Sequence, residues 1–243
     1  LLFGGMGASL LFFFSLFYGR KMMKIWPHWN KNMMTHYAKQ AAPFGLAFLC
    51  TALYRQSDVT LIGVLRSDYA IQNAYYGFVQ RAMDMAYLFP TFLLNSTLPI
   101  LSERAASGHD TRSLLGKTFH IIVLLGTTLF LFAFLWSRPL MLLLTSDRYM
   151  STLEHAGSDT ALHLLSLSMF LNGIVLFCFY SLLTRHQWKP LVWTLFCGSI
   201  VSVSSNMFLI PTLGFVGACF SSILTHTVLV ILLLPQTLKR MPM

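Results

Sequence analysis

The sequence predicts an all-α integral membrane protein with about seven transmembrane helices, and three observations carry that prediction. Hydrophobic residues make up 56% of the chain and charged residues only 10%, whereas soluble proteins carry roughly 25% charged residues. The mean hydropathy is +0.64. Apolar runs of the ~20 residues needed to cross a bilayer recur along the chain, and they lack the period-two alternation typical of a membrane barrel strand.

Seven apolar runs predict the spans in order: near 1–18, 41–65, 70–102, 118–144, 160–184, 190–210 and 213–234. A short polar turn at 66–68 predicts that spans two and three form an antiparallel hairpin. Pro90 predicts a kink in span three, either a hinge or a static kink. Ser137-Arg-Pro139 predicts a helix break near the end of span four. Pro211 and Gly214 predict a tight turn between the last two spans.

The positive-inside rule predicts the orientation of these spans. If the segment after span one is cytoplasmic, twelve basic residues lie inside and three outside. The inside set is Arg20, Lys21, Lys24, Lys31, Lys39, Arg104, Arg112, Lys117, Arg185, Lys189, Lys239 and Arg240. The outside set is Arg66, Arg138 and Arg148. We therefore expect a cytoplasmic C-terminus, and we interpret the net charge of +9 as topology, with no nucleic-acid partner.

The chain begins at Leu1, inside an apolar run, without a starting Met or the pattern of a secretory signal. We therefore expect this chain to be the C-terminal portion of a longer protein.

Cysteine and histidine residues carry no recognisable cofactor motif. The four cysteines lie within predicted spans without metal-ligand spacing, so we expect them to be structural and expect no cofactor. The sequence contains no P-loop or other Gly-rich phosphate loop. His226, within the last span, has two open interpretations, a packing residue or a proton relay.

The strongest functional signal is a pair of charge doublets, Arg55-x-x-Asp58 and Arg81-x-x-Asp84, in spans two and three. A charged residue at mid-bilayer costs ~2.5–3.5 kcal/mol even on the lenient insertion scale. Both arginines lie roughly 18–21 Å from the outer end of the hairpin at ~1.5 Å per residue. Each Asp shares a helix face with its own Arg, so the pairs could form within a helix or between helices.

The two doublets allow two interpretations. They could form a buried ion-pair network that fixes the register of the hairpin. They could instead face a water-filled substrate path, where the rigid fork of arginine suits phosphate. Further polar residues favour the second interpretation: Gln56, Ser57, Thr60, Gln72, Asn73, Tyr75, Tyr76 and Gln80.

Four stretches resemble one family. YRQSDVTLIGVL at 54–65, and the run from AYYGFVQRAMDM to LPILSERAA at 74–106, are similar to the seventh and eighth helices of polysaccharide flippases of the multidrug/oligosaccharidyl-lipid/polysaccharide (MOP) exporter superfamily. RPLMLLLTSDRY at 138–149 resembles the end of the ninth helix. NMFLIPTLGFVGACFSSILTH at 206–226 resembles the hairpin between the eleventh and twelfth helices.

This resemblance implies two helical bundles with an alternating-access cavity between them. Residues 1–18 would be the truncated last helix of the first bundle, 19–40 a cytoplasmic basic loop or interfacial helix, and 41–243 the second six-helix bundle. The implied function is the flipping of a polyprenyl-diphosphate-linked oligosaccharide to the outer leaflet of a bacterial-type plasma (inner) membrane, for cell-surface polysaccharide synthesis. Such a multi-pass protein contacts membrane lipids and carries out no chemical catalysis.

The resemblance also assigns roles to particular residues. Arg55 and Arg81 would contact the diphosphate or sugar. Because Gln80 and Tyr76 are polar residues of the same hairpin, we expect them to belong to the same substrate-binding set. Asp58 and Asp84 would orient the arginines or take part in coupling to an ion, H⁺ or Na⁺. Binding near the bilayer midplane and rocking of one bundle against the other is a general transporter mechanism.

Alternatives come from the same superfamily and from another class. A lipid II flippase and a cation-coupled multidrug exporter are the related alternatives, although we expect an exporter of cations to carry more carboxylates. A membrane-embedded lipid-sugar transferase or acyltransferase is the alternative of another class. We expect no enzyme, because the acidic residues are too scattered for an obvious catalytic constellation.

Overall fold

The structure is a computed structural model that describes residues 2–22, 30–107, 111–153, 155–185 and 187–239. The chain divides into two compact units, Leu1–Ala41 and Ala42–Met243. The first contains helix α1, Leu2–Met22, and the start of α2, Lys31–Leu65. The side chain of Asn30 accepts hydrogen bonds from the backbone N–H groups of Asn32 and Met33, and this N-cap begins α2. The interfacial helix that the sequence suggests within 19–40 depends on 23–29, which lie outside the described residues.

The second unit contains the rest of α2 and seven further helices over its described residues. Their bounds are α3 Tyr69–Ala86, α4 Leu88–Ala106, α5 Arg112–Leu135, α6 Ser137–Leu144, α7 Ser158–Thr184, α8 Trp188–Leu213 and α9 Phe215–Lys239. A short 3₁₀ helix, Asp147–Tyr149, precedes α7. No strand occurs in the part of the chain that the structure describes. The prediction of an all-α fold is confirmed.

Four helices of the described chain are long and apolar enough to cross a membrane: α5, α7, α8 and α9. Helices α7, α8 and α9 match the predicted spans 160–184, 190–210 and 213–234 within a few residues, and α5 covers the first two thirds of the predicted span 118–144. The other three predicted spans stay predictions. Between α2 and α3, the helices end at Leu65 and restart at Tyr69, which confirms the predicted turn at 66–68.

Two predicted spans, 70–102 and 118–144, are each divided into two helices. In both, a proline follows the division at the same distance. Pro90 and Pro139 occupy the third position of α4 and α6, where backbone N–H groups have no helical partner in any case. Proline has no backbone N–H group to donate to the carbonyl of the residue four positions earlier, and its ring clashes with that carbonyl. Those residues are Ala86 and Leu135, the last residues of α3 and α5. The break at Ser137-Arg-Pro139 is confirmed. The interruption near Pro90, where the sequence predicts a kink, is confined to Tyr87, which keeps helical angles of φ −67° and ψ −16° and donates to the carbonyl of Met83 at 2.9 Å.

Helix α7 is the central helix of the second unit, since it packs against α3, α4, α5, α6, α8 and α9. Two apolar clusters fill the core. One includes Cys50, Val175, Leu195 and Leu229, and the other includes Ile62, Tyr76, Leu162, Ile210 and Cys219.

A layer of buried polar residues lies along the helices between these two clusters, and we call it the polar layer. Its members are Asp58 on α2, Asn172 on α7, Ser199, Ser202 and Asn206 on α8, and Ser221, Thr225 and His226 on α9. Burying this many polar groups is unfavourable unless they find hydrogen-bond partners. The polar layer is therefore where a functional site is expected in this fold.

Candidate functional site

The two charge doublets meet across the α2–α3 hairpin. The guanidinium group of Arg55 forms an ion pair with the carboxylate of Asp84. Their side chains are 26% and 39% exposed. The pair joins two helices, so the alternative of an Arg55–Asp58 pair within α2 is wrong. The Arg55 guanidinium also lies over the ring of Tyr87, 5.1 Å from its centroid, a cation–π arrangement.

Asp58 is the most enclosed charged residue of the hairpin, with 3% of its surface exposed. Three side chains donate hydrogen bonds to its carboxylate: Tyr76 Oη at 2.5 Å, Asn206 Nδ2 at 2.6 Å and Ser57 Oγ at 3.4 Å. Donors alone are what an ionised carboxylate needs. No Lys, Arg or His within the described part of the chain forms an ion pair with it.

Tyr76 and Gln80 have structural contacts of their own. Tyr76 is fully buried, lines neither of the cavities described below, and holds Asp58 through its hydroxyl group. The side-chain amide of Gln80 donates to the backbone carbonyl of Arg55 at 3.1 Å. This bond ties α3 to α2 at the level of the Arg55–Asp84 pair.

A groove of about 690 Å³ lies on the open face of the hairpin, between α2, α3 and the α6 end. Its polar lining residues are Gln56, Asn73, Gln80, Arg81, Asp84, Thr145 and Tyr149. Arg81 is exposed and has no ion pair or hydrogen bond with any described residue. Arg55 does not line the groove. Of the two arginines, Arg81 is thus the one whose guanidinium group is available to a ligand.

A second, much smaller cavity of about 20 Å³ lies inside the bundle. Its lining residues are Tyr54, Arg55, Asp58, Gln80, Met83, Tyr87, Leu165, Ser222 and His226. A cavity of ~10–15 Å³ or more holds one water molecule when several polar groups surround it. The volume and the lining both meet that requirement.

His226 borders the small cavity and is 6% exposed. Its Nδ1 lies 2.7 Å from the backbone carbonyl oxygen of Ser222 and 2.9 Å from the hydroxyl of Ser168. Because a carbonyl only accepts hydrogen bonds, Nδ1 carries the hydrogen in the neutral ring. Nε2 has no hydrogen-bond partner among the described residues.

Asn206 and Ser202 are site residues that sequence reasoning missed. Asn206 bonds to Asp58, and the hydroxyl of Ser202 lies 2.9 Å from that of Ser57. Both residues are on α8, about 145 positions from α2 along the chain. The signal for Asn206 in the sequence is its amide group, the most polar side chain in a span whose other polar residues carry hydroxyl groups. No group of three or more His, Cys, Asp or Glu that could hold a metal ion occurs within the described ranges.

The turn of the hairpin, at 66–68, is fixed by a second ion pair. Arg66 donates to Asp68 from Nε at 2.7 Å and from Nη2 at 2.9 Å. These hydrogen bonds, together with one from Gln72, lower the pKa of the Asp68 carboxyl to about 2. Arg66 also donates to the carbonyl of Pro211 at 3.2 Å, and this contact holds the α2–α3 turn against the end of α8.

Fold and site define an all-helical protein with four helices that could cross a membrane, a polar layer between two apolar clusters, and a groove with an unpaired arginine. Comparisons with protein-family models, with curated protein sequences and with solved structures found no match.

Proposed function

We propose that this protein is a membrane flippase that moves a polyprenyl-diphosphate-linked oligosaccharide from the cytoplasmic to the outer leaflet of a bacterial-type plasma membrane. The observation that carries the proposal is the groove of about 690 Å³ with the unpaired Arg81 in its wall. A free guanidinium group offers a diphosphate two parallel, charge-assisted hydrogen bonds. The resemblance of four sequence stretches to MOP-superfamily polysaccharide flippases adds support.

The two arginines have different roles in this proposal. Arg81 contacts the diphosphate directly. Arg55 is engaged with Asp84 and Tyr87, so it acts as a positioning residue that holds α3 and presents Arg81 to the groove. Amide and aromatic groups on the same wall, Asn73 and Tyr149, suit the hydroxyl groups and apolar faces of sugar rings.

The proposal includes seven spans, a cytoplasmic C-terminus and coupling to an ion, H⁺ or Na⁺, at Asp58. In a transporter of two bundles, the groove would border the central cavity, and rocking of the bundles would expose it to each side in turn. The protein would then need no chemical catalysis and no cofactor. A lipid II flippase would use the same groove chemistry.

Substitution of the free arginine tests the proposal. Arg81→Ala removes a charge-assisted contact worth ~1.5–3 kcal/mol, so we expect diphosphate-glycan flipping by reconstituted protein to fall by roughly 10- to 150-fold. Arg138→Ala is the matched control, because Arg138 is an exposed arginine outside the groove. Both variants should insert and unfold like the wild type. Equal flipping by the two variants would contradict the role of Arg81.

A further inference from the structure

The small cavity lies between Asp58 and His226. The proposed function uses Asp58 and gives no role to His226. Asp58 on α2 and His226 on α9 both line it, although they are far apart in the sequence. Its volume of about 20 Å³ suits a single water molecule. One water between a carboxylate and an imidazole can accept a hydrogen bond from one and donate to the other.

The charge of Asp58 is not balanced by a cation. Arg55, the cation nearest along α2, is paired with Asp84. The three donors to Asp58 are neutral groups from Tyr76, Asn206 and Ser57. An ionised carboxylate that is enclosed in this way, without a counter-charge, is strongly unfavourable. A proton within the cavity would supply the missing positive charge.

His226 is oriented to exchange that proton. Its Nδ1 is held by the Ser222 carbonyl and the Ser168 hydroxyl, which fixes the plane of the ring. Nε2, the remaining nitrogen, has no partner among the described residues and is the atom able to gain or lose a proton. Imidazole is the side chain whose ordinary titration range includes neutral pH.

Few other charged or titratable groups surround the small cavity. Helix α7 contributes Leu165 and Ser168, and α8 contributes neutral polar groups alone. The titratable groups that line the cavity besides His226 are Tyr54, Arg55 and Asp58 on α2 and Tyr87 after α3, with Asp84 paired to Arg55. Two more face Asp58 from outside the cavity, the hydroxyl of Tyr76 on α3 and the buried thiol of Cys219 on α9. The thiol is a weak acid with an ordinary value near ~8.5. Arg81 lines the groove and not the cavity. The tyrosines are weak acids with ordinary values near ~10, which leaves Asp58 and His226 as the exchanging pair.

A metal cation fits this cavity poorly. Hard cations take about six or more oxygen ligands, whereas the lining includes the guanidinium group of Arg55 and the imidazole of His226. Asn206, whose Oδ1 has no partner among the described residues, does not line the cavity.

We propose that Asp58 and His226 share one exchangeable proton through a water molecule in the small cavity, and that this proton is the coupling ion of the transport cycle. The second clause rests on the proposed function. In one state His226 is an imidazolium ion beside the Asp58 carboxylate. In the other, Nε2 has given its proton to the water, the water has given one to Asp58, and both side chains are neutral. The exchange between these two states creates no net charge. In the coupling step the pair releases this proton to one side of the membrane and takes one up from the other side, so one proton crosses in each cycle.

Infrared spectroscopy of the protein in lipid nanodiscs tests the shared proton without any glycan. A protonated Asp58 gives a carboxylic-acid carbonyl band that Asp58→Asn must remove. His226→Asn keeps a donor for the Ser222 carbonyl and removes Nε2, so we expect the midpoint pH of this band to move by about one unit or more. His163→Asn is the matched control, because His163 also bonds to a backbone carbonyl, that of Phe134, and does not line the cavity.

Three infrared outcomes would overturn the proposal of a shared proton. The first is that no carboxylic-acid band depends on Asp58, and the second is that the midpoint pH of the band is unchanged in His226→Asn. The third is that the band disappears when sodium chloride replaces choline chloride at equal ionic strength. The last would identify a metal cation as the counter-charge. His226→Gln repeats the test if His226→Asn does not fold.

A second experiment tests the coupling. A gradient of one pH unit should raise accumulation of a fluorescent polyprenyl-diphosphate disaccharide by up to about tenfold for one proton in wild type and His163→Asn, and should have no effect in His226→Asn. A gradient effect that persists in His226→Asn would refute the coupling. Failure of the wild type to move this glycan at all would refute the proposed function, and the infrared result would still decide the shared proton.

Discussion

Removing one hydroxyl group, by Tyr76→Phe, isolates the hydrogen bond that holds Asp58. The ring of Tyr76 is fully buried in the cluster that contains Ile62 and Cys219, so phenylalanine keeps the apolar packing. The lost bond joins Tyr76 Oη and Asp58 Oδ2 at 2.5 Å. A hydrogen bond to a charged group contributes ~1.5–3 kcal/mol. We expect Tyr76→Phe to lower the free energy of unfolding by that amount.

The neighbouring tyrosine provides the control. The hydroxyl of Tyr75 has no hydrogen bond to a described residue, so Tyr75→Phe should change the free energy of unfolding by less than about 0.5 kcal/mol. The assay is reversible unfolding in mixed micelles, followed by tryptophan fluorescence. In an Asp58→Asn background the cost of Tyr76→Phe should fall, because an amide oxygen is a weaker acceptor than a carboxylate.

The result that would refute this reasoning is equal stability of Tyr76→Phe and Tyr75→Phe. Loss of flipping in Tyr76→Phe at unchanged stability would instead favour the direct substrate contact that the polar character of the hairpin predicts for Tyr76.

Three further predictions concern the same bundle. A double-mutant cycle on Arg55 and Asp84 should give a coupling free energy of about 1–3 kcal/mol, which lies between the values for exposed and for buried ion pairs. A coupling free energy below about 0.3 kcal/mol would contradict the ion pair. Gly214→Ala should destabilise by about 2–3 kcal/mol in the same unfolding assay, because Gly214 has φ +61° and ψ −140°, a conformation almost confined to glycine, and a Cβ there would lie 2.6 Å from Gln72 Oε1. Gly116→Ala, in open helical space, should instead stabilise slightly. The Asp68 carboxyl, with its pKa of about 2, should contribute stability that is fully present above pH ~4 and is lost as the pH falls through about 2. A carbon-13 titration of the Asp68 carboxyl with a midpoint near ~4, the ordinary value, would contradict its ion pair with Arg66.

Hydropathy and turn chemistry predicted much of the fold correctly. The positions of α5, α7, α8 and α9 follow from apolar runs, because a helix that crosses a membrane must be apolar along its length. The turn at 66–68 and the break at Ser137 follow from local polar and proline residues. The interruption at Tyr87 lies three residues before Pro90, where a kink is predicted. Prolines also lie inside the continuous helices α2, α4, α8 and α9, so a proline alone does not decide whether a helix ends.

The site was only partly predictable, because its contacts depend on how helices are rotated. The doublets themselves are visible in the sequence, but sequence spacing permits pairing within a helix as readily as between helices. Asp58 on α2 contacts Asn206 on α8, and it lines the same cavity as His226 on α9. Helices α8 and α9 lie roughly 150 residues further along the chain than Asp58. Nothing local in a single sequence specifies such contacts.

Leaflet transfer of a lipid-linked glycan is the measurement that tests the central claim most directly. Wild-type protein is reconstituted into liposomes with a fluorescent polyprenyl-diphosphate disaccharide in both leaflets, and dithionite is added outside. We expect the protected inner half of the fluorescence to be lost at a rate that increases with protein per liposome, and to stay protected with the glycan on a polyprenyl monophosphate. Protection equal to that of protein-free liposomes would contradict the assignment as a flippase for polyprenyl-diphosphate glycans.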